Sequence, residues 1–153
     1  MKIAIASDHG GFQLKPLLIQ FLKKRKIEVE DLGNHGTESV DYPDYAVKVA
    51  EMVSQGRVDA GLLLCGTGIG MSIVANKFPN VRAAVVSEDF SARMAKEHNN
   101  ANVLCLGGRL LDADKDAERA SKIVAAWLDA KFEGGRHERR LEKILEIERK
   151  NFR

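Results

Sequence analysis

Asp59-Ala60-Gly61-Leu62-Leu63-Leu64-Cys65-Gly66-Thr67-Gly68-Ile69-Gly70 is the stretch that decides the fold class. Residues 59–65 are short and apolar on both alternating faces, as a central parallel strand covered by helices must be. The glycines at 66, 68 and 70 mark a tight turn, and the run from about Met71 to Phe78, stopped by Pro79, reads as a helix. A buried strand that turns through glycine into a helix is half of a βαβ unit.

The same alternation continues on either side. Upstream, Lys2 to Ser7 is a short strand ending at Asp8-His9-Gly10-Gly11, and Phe12, Leu14, Leu17, Leu18, Phe21 and Leu22 then recur at helical spacing. Pro16 falls near the start of that helix, where its missing N–H costs little. Ile27 to Leu32 reads as a strand closed by Gly33, residues 34–44 as a polar loop containing Pro43, and the segment from Tyr45 to Val53 as a helix stopped by Gly56. Downstream, Val81 to Val86 is a fourth strand, Glu88 to His98 a helix with Ser87 as its N-cap, and Asn102 to Leu106 a fifth strand ending at Gly107-Gly108-Arg109. Ala113 to Lys131 is helical, with Ala117, Ala120, Ile123, Val124, Trp127 and Leu128 on one face.

This order predicts one α/β domain over residues 1–153: a Rossmann-like, doubly wound sheet of five parallel strands with helices on both faces. Ligands in such sheets bind outside the carboxyl ends of the strands, and Asp8-His9, Cys65-Gly66-Thr67 and Gly108-Arg109 stand at those ends. Residues 132–153 form a C-terminal extension. Phe132-Glu133-Gly134-Gly135-Arg136-His137 breaks the pattern, and Glu138 to Lys150 is a charged helix with a narrow stripe of Leu141, Ile144, Leu145 and Ile147. Such a stripe suits packing on a second subunit and on its own domain about equally.

Composition narrows the function. The chain has 153 residues, 44% hydrophobic and 30% charged, with a net charge of +2. That balance argues against a broad nucleic-acid or membrane footprint. The longest apolar run, Ala60 to Cys65, is far too short to span a bilayer, and the first residues do not read as a secretion signal. Two cysteines without such a signal do not suggest a disulfide framework, so a reducing cytoplasm is the expected setting.

The chemistry concentrates around the glycine loop. Backbone N–H groups at a helix start attract a phosphate or a developing oxyanion, although the spacing is neither a dinucleotide fingerprint nor a P-loop and fits a simple turn equally well. Cys65 opens that loop, and amides at a helix start favour a thiolate that can act as base or nucleophile. Core packing is the alternative for any free cysteine. Cys105, between Leu104 and Leu106, serves as the comparison and reads as core. His9 and His98 offer proton carriers at candidate ligand-facing positions. Arg109 and the pair Arg136 and Arg140, four residues apart on one helix face, offer forks for phosphate oxygens, or else a solvated face. No HExxH or CxxC spacing points to a metal.

Several motifs together resemble a known family. Ser7-Asp8-His9-Gly10-Gly11, Asp41-Tyr42-Pro43-Asp44-Tyr45-Ala46, Cys65-Gly66-Thr67-Gly68-Ile69-Gly70 with Ala75-Asn76-Lys77, His98-Asn99, Asn102-Val103-Leu104 and Glu133-Gly134-Gly135-Arg136-His137 resemble ribose-5-phosphate isomerase of the B type, the family that also holds the galactose-6-phosphate isomerase subunits. The likeness runs from Lys2 to about Arg149. It implies interconversion of ribose 5-phosphate and ribulose 5-phosphate without metal or cofactor. On matching positions, Cys65 would take the C2 proton and return it at C1, and the amides of Gly66, Thr67, Gly68, Ile69 and Gly70 would hold the enediolate oxygens. Thr67 would orient the sugar, and His98, with Asp8 nearby, would open the furanose ring. His9, Arg109, Arg136 and Arg140 would bind the phosphate and Asn99 the sugar hydroxyls. The resemblance also implies a homodimer or homotetramer, with the C-terminal segment reaching a neighbouring subunit and active sites at the interface.

Some family members place a glutamate just after the glycine loop as base. Here that position is Met71, so the cysteine-base branch is the match. The stretch Asp112 to Glu118 looks longer than in some members. Two other functions stay open from the sequence: a hexose-6-phosphate isomerase of allose or galactose type, and a non-catalytic sugar-phosphate sensor. The retained thiol and histidine speak against the sensor.

Overall fold

The computed structural model describes residues 1–152. Five strands, β1 (Lys2–Ser7), β2 (Glu28–Asp31), β3 (Ala60–Cys65), β4 (Ala83–Val85) and β5 (Val103–Gly107), alternate with α1 (Leu14–Lys24), α2 (Tyr42–Ser54), α3 (Ile69–Ala75), α4 (Asp89–Asn99) and α5 (Ala117–Asp129), and α6 (Arg136–Asn151) follows. The strand order is β2-β1-β3-β5-β4 and every pairing is parallel, as expected from the sequence. Chain direction across the sheet reverses between β1 and β3: β1 connects to one side and β3 to the other. That gap is the topological switch point where such sheets bind ligands.

Two apolar layers sandwich the sheet, because parallel strands must be covered on both faces. Leu62 and Leu64 point into one layer with Leu14, Leu18 and Leu22 of α1, Ala92 and Ala95 of α4, and Ile123, Val124 and Trp127 of α5. Leu63 and Cys65 point into the other with Val49 and Val53 of α2 and Met71 and Ala75 of α3. Every residue of β3 is buried, as its unbroken apolar run requires. The Trp127 indole N–H donates to the Ala101 carbonyl at 2.9 Å, so a core aromatic also fixes the chain entering β5.

Helix starts account for most differences from the sequence reading. α2 begins at Tyr42, inside the segment expected to be loop, because Pro43 sits in the first turn where no N–H is needed. Ser87 does not cap α4: the helix begins at Asp89, no side chain caps it, and the Ser87 carbonyl instead accepts from Arg119 at 3.0 Å. α5 begins at Ala117, leaving residues 108–116 outside helix. α6 begins at Arg136, two residues before its expected start. Only His137 of α6 is buried, while Ile144 and Ile147 are 46% and 60% exposed. Leu141 and Leu145 are half-buried, so its own domain covers the apolar stripe only in part.

Candidate active site

The carboxyl edge of the sheet is assembled by glycines. A Cβ at Gly10 would stand 2.7 Å from the Gly66 nitrogen, one at Gly11 2.5 Å from the Leu64 Cβ, and one at Gly107 2.9 Å from the Gly66 carbonyl oxygen. Gly108 presses against the Gly10 carbonyl oxygen. The loops after β1, β3 and β5 thus touch backbone to backbone, which only glycine permits. The backbone N–H groups of Gly108 and Arg109 donate to the carbonyls of Cys65 and Gly66, tying the third loop to the second.

Cys65 ends β3 inside this cluster. It is buried, 5% exposed, and its Sγ accepts the Gly68 N–H at 3.0 Å. Gly68 has φ of 81°, a left-handed conformation that turns its amide back toward the sulfur and starts α3. The Ile69 N–H donates to Thr67 Oγ1 at 3.3 Å. Two of the loop amides expected to hold the enediolate are thus engaged by the loop's own side chains. Asp8 is buried, and its Oδ1 accepts from the N–H groups of Gly10 at 2.8 Å and Gly11 at 3.2 Å, which fixes the first loop. His9 Nδ1 accepts the Val40 N–H at 3.2 Å, so the neutral ring carries its proton on Nε2. His9 and Arg109 line one cleft of about 330 Å³ with Gly10, Gln13, Thr37 and Gly108.

Cys105 lies on the same face of the sheet, two residues deeper on the neighbouring strand. It is fully buried, and burial together with the nearby Cys65 pushes its thiol up, away from the reactive thiolate. Strand geometry separates the two Cα atoms by about 8 Å, too far for a disulfide. Met71 is fully buried in α3 and presents no proton acceptor to the loop.

His98, Asn99, Arg136 and Arg140 are somewhere else. A ligand-facing place for His98 beside the strand ends does not hold within one chain. α4 runs antiparallel to the strands, so its last residues reach the amino edge of the sheet. The chain then enters β5 at Val103, which pairs with Gly61, while Cys65 pairs with Gly107 at the far end. About 13 Å of strand lies between the two levels. At the amino edge the Glu133 N–H donates to the Glu97 carbonyl at 3.0 Å and brings the start of α6 beside the end of α4. Arg136 and Arg140 are exposed there, one turn apart. The Arg82 Nε donates to the carbonyls of Asn99 and Asn100, satisfying the end of α4.

The structure brings into these two groups four residues to which the sequence reading gave no role. His137 stacks on His98, with ring centres 4.2 Å apart and planes 8° from parallel. Burial, with the neighbouring His98 and Arg136, lowers the His137 pKa below the usual imidazole range, against an opposing pull from Glu133. Glu133 Oε2 lies 3.3 Å from His137 Nε2 and 3.9 Å from His98 Nε2. The i, i+4 spacing of Glu133 and His137 was the available signal, and the Gly134-Gly135 break hid it. Lys15 is a buried cation whose Nζ donates to Asp31 Oδ1 at 2.7 Å and to the Asn34 carbonyl at 2.6 Å, holding the loop that carries Val40 to His9. Tyr42 lays its ring against Gly70, where an added Cβ would stand 2.7 Å from Cζ.

A thiol at the switch point of a five-stranded parallel sheet, with a histidine and an arginine lining a cleft at the same edge, defines the class: an α/β protein whose carboxyl-edge crevice suits a small anionic ligand. The chain belongs to the Ribose/Galactose Isomerase family, which it matches over residues 3–144. It is 48% identical over 149 residues to ribose-5-phosphate isomerase B of Escherichia coli, with 97% of each chain covered. Its fold superposes on Clostridium thermocellum ribose-5-phosphate isomerase B with a TM-score of 0.93 at 55% identity, covering 98% of this chain and 99% of that one. The Mycoplasma genitalium ribose-5-phosphate isomerase B, solved with bound ribulose-5-phosphate, gives a TM-score of 0.91 at 43% identity, over 97% and 96% of the two chains.

Proposed function

We propose that the protein interconverts ribose 5-phosphate and ribulose 5-phosphate through an enediolate, with Cys65 as the base. The observation that carries this reading is the position of the Cys65 sulfur: at the end of β3, in the switch-point crevice, held by the Gly68 amide. The family and the relatives named above supply the substrate class. The net change moves one hydrogen from C2 to C1 and one from O2 to O1. Cys65 carries the first, removing the C2 proton and returning it at C1. The Gly68 N–H supports the sulfur in its charged state, and free donors of the 66–70 loop face the oxygens where charge develops. Thr67, exposed at the loop, orients the sugar. His9 and Arg109 line the cleft that takes the phosphate.

Ring opening and the remaining phosphate contacts call for a second copy of the chain. His98, Asn99, Arg136 and Arg140 share the amino edge, beyond reach of Cys65 in the same chain. A two-fold dimer that brings one subunit's amino edge to its partner's carboxyl edge completes two identical sites. The exposed stripe of α6, with Ile69, Ile73 and Val85 exposed along α3 and the edge strand β4, is the apolar surface available to such a dimer. Among the described residues no helix is long and apolar enough to cross a membrane. A reducing cytoplasm would keep Cys65 as a free thiol.

The test is a substrate panel. Purified protein should form ketose from ribose 5-phosphate, and Cys65→Ala should lose that activity while its circular dichroism stays unchanged. Faster turnover of allose 6-phosphate or galactose 6-phosphate would move the assignment to a hexose. Absence of turnover on all three, with no exchange of solvent deuterium into C1 of ribulose 5-phosphate, would leave a binding protein.

A further inference from the structure

His98, Glu133 and His137 form a cluster in which the isomerisation proposed above gives a role to His98 alone. One ligand atom from each lies within 4.8 Å of the others. His137 is 4% exposed, and its Nε2 is buried without a hydrogen-bond partner. The Glu133 carboxylate is 3.3 Å away, close enough to pair but not aligned as a hydrogen bond. A buried ring nitrogen left without a partner is the exception among native groups and calls for a ligand. The near-parallel stack sets the two Nε2 atoms on the side where Glu133 lies.

We propose that His98, His137 and Glu133 bind a divalent transition-metal ion, with Zn2+ as the model case, and that the bound ion inhibits the enzyme by occupying His98. Two imidazoles and one carboxylate are the donor set of an open tetrahedral zinc site, whose fourth position is left to water. Bond lengths of about 2.0–2.1 Å place the ligand atoms of such a site about 3.3–3.5 Å apart. The Glu133–His137 separation of 3.3 Å already meets that, whereas the His98 ring, 3.9 Å from Glu133 and stacked parallel on His137, must swing out of the stack for its Nε2 to converge on the same ion. In the single chain Glu133 is exposed and His98 only half-buried; in the dimer proposed above this edge faces the partner's crevice, so the ion enters by the opening that admits the sugar phosphate. Nitrogen donors select zinc, cobalt or nickel over magnesium and calcium, which prefer oxygen. Metal on the His98 ring nitrogen displaces any proton there and blocks proton transfer by that atom.

Binding rests on the geometry alone, whereas inhibition rests on the ring-opening role given to His98, and separate measurements read the two. Untagged, chelator-treated protein titrated with Co2+ should develop visible d–d bands at one ion per chain, displaced by Zn2+ and unaffected by Mg2+. Glu133→Gln and His137→Gln should each weaken Co2+ binding by at least the roughly 10–100-fold that loss of even an outer-shell partner costs. In the isomerase assay Zn2+ should inhibit the wild type reversibly, with chelator restoring activity. Glu133→Gln, whatever its basal rate, should lose none of it at Zn2+ concentrations that inhibit the wild type. Unchanged Co2+ affinity in both variants would overturn the site, as would a sulfur-to-cobalt charge-transfer band that disappears in Cys65→Ala. Co2+ binding that both variants weaken, without Zn2+ inhibition, would confirm the site and overturn its hold on His98.

Discussion

A pair of inactive variants can show whether one active site draws on two chains. Cys65→Ala removes the proposed base at the carboxyl edge and His98→Asn the proposed ring opener at the amino edge. Acid–base groups of this kind contribute roughly 10²–10⁴-fold, so each homodimer should keep about 1% of wild-type activity or less. Co-expression with two different affinity tags and purification on both resins isolates the mixed dimer. With about 13 Å of strand between the two levels, Cys65 and His98 of one chain cannot meet on one sugar. In a two-fold dimer, one site of the mixed species then combines both lesions and the other combines intact His98 with intact Cys65. The mixed dimer should therefore recover about half of wild-type activity, some fifty times either parent. The assay is ketose formation from ribose 5-phosphate, normalised to dimer concentration. Recovery no greater than the parents would refute the shared site and require a single chain to bring its two edges together.

Other substitutions test separate parts of the structure. Cys105→Ala should cost about 1 kcal/mol in denaturant unfolding and leave turnover intact, as a small change in a packed core does. Because burial raises the Cys105 thiol, native protein at pH 8 to 9 should label with a thiol reagent at Cys65 alone, and at both cysteines once unfolded; peptide mapping decides. Gly11→Ala places a Cβ 2.5 Å from the Leu64 Cβ and against its backbone, and should lower stability by about 1–3 kcal/mol or more, read as a drop in Tm. Ile144→Glu with Ile147→Glu, both exposed in the single chain, should leave its helical content unchanged while sedimentation shows loss of the dimer and turnover falls with it.

Much of the fold was legible because few alternatives fit the pattern. An apolar run such as Asp59 to Cys65, closed by glycines, fits a covered parallel strand, and its recurrence in β1 and β5, with shorter strands β2 and β4 at the edges and helical stretches between, leaves a doubly wound sheet. Boundaries were less legible where one residue type serves two states. Pro43 reads as a loop breaker, yet it opens α2, because a helix's first turn has no use for a proline's absent N–H. Ser87 has the composition of an N-cap, but α4 starts two residues later without any side-chain cap. Lys15 could not be identified as a buried cation because its partners, Asp31 and the Asn34 carbonyl, lie across the fold.

The placement of His98 shows most clearly what local sequence leaves out. Composition and motif marked it as a proton carrier, but its level along the sheet depends on chain direction. Strands run one way and their connecting helices the other, so a residue closing a helix and a residue closing a strand stand at opposite edges. Cys65 closes a strand, whereas His98 and Asn99 close α4. Arg136 and Arg140 follow α5, which also returns to the amino edge, and so join His98 instead of Cys65. A chain of this topology can bring the thiol and the histidine to one sugar only by presenting its amino edge to another copy. The glycine contacts that lock loops 8–11, 66–70 and 107–109 together hold the surroundings of the thiol within one chain. In the proposed dimer, Ile144 and Ile147 of α6, exposed in the single chain, supply the apolar contact through which a partner would complete the histidine side.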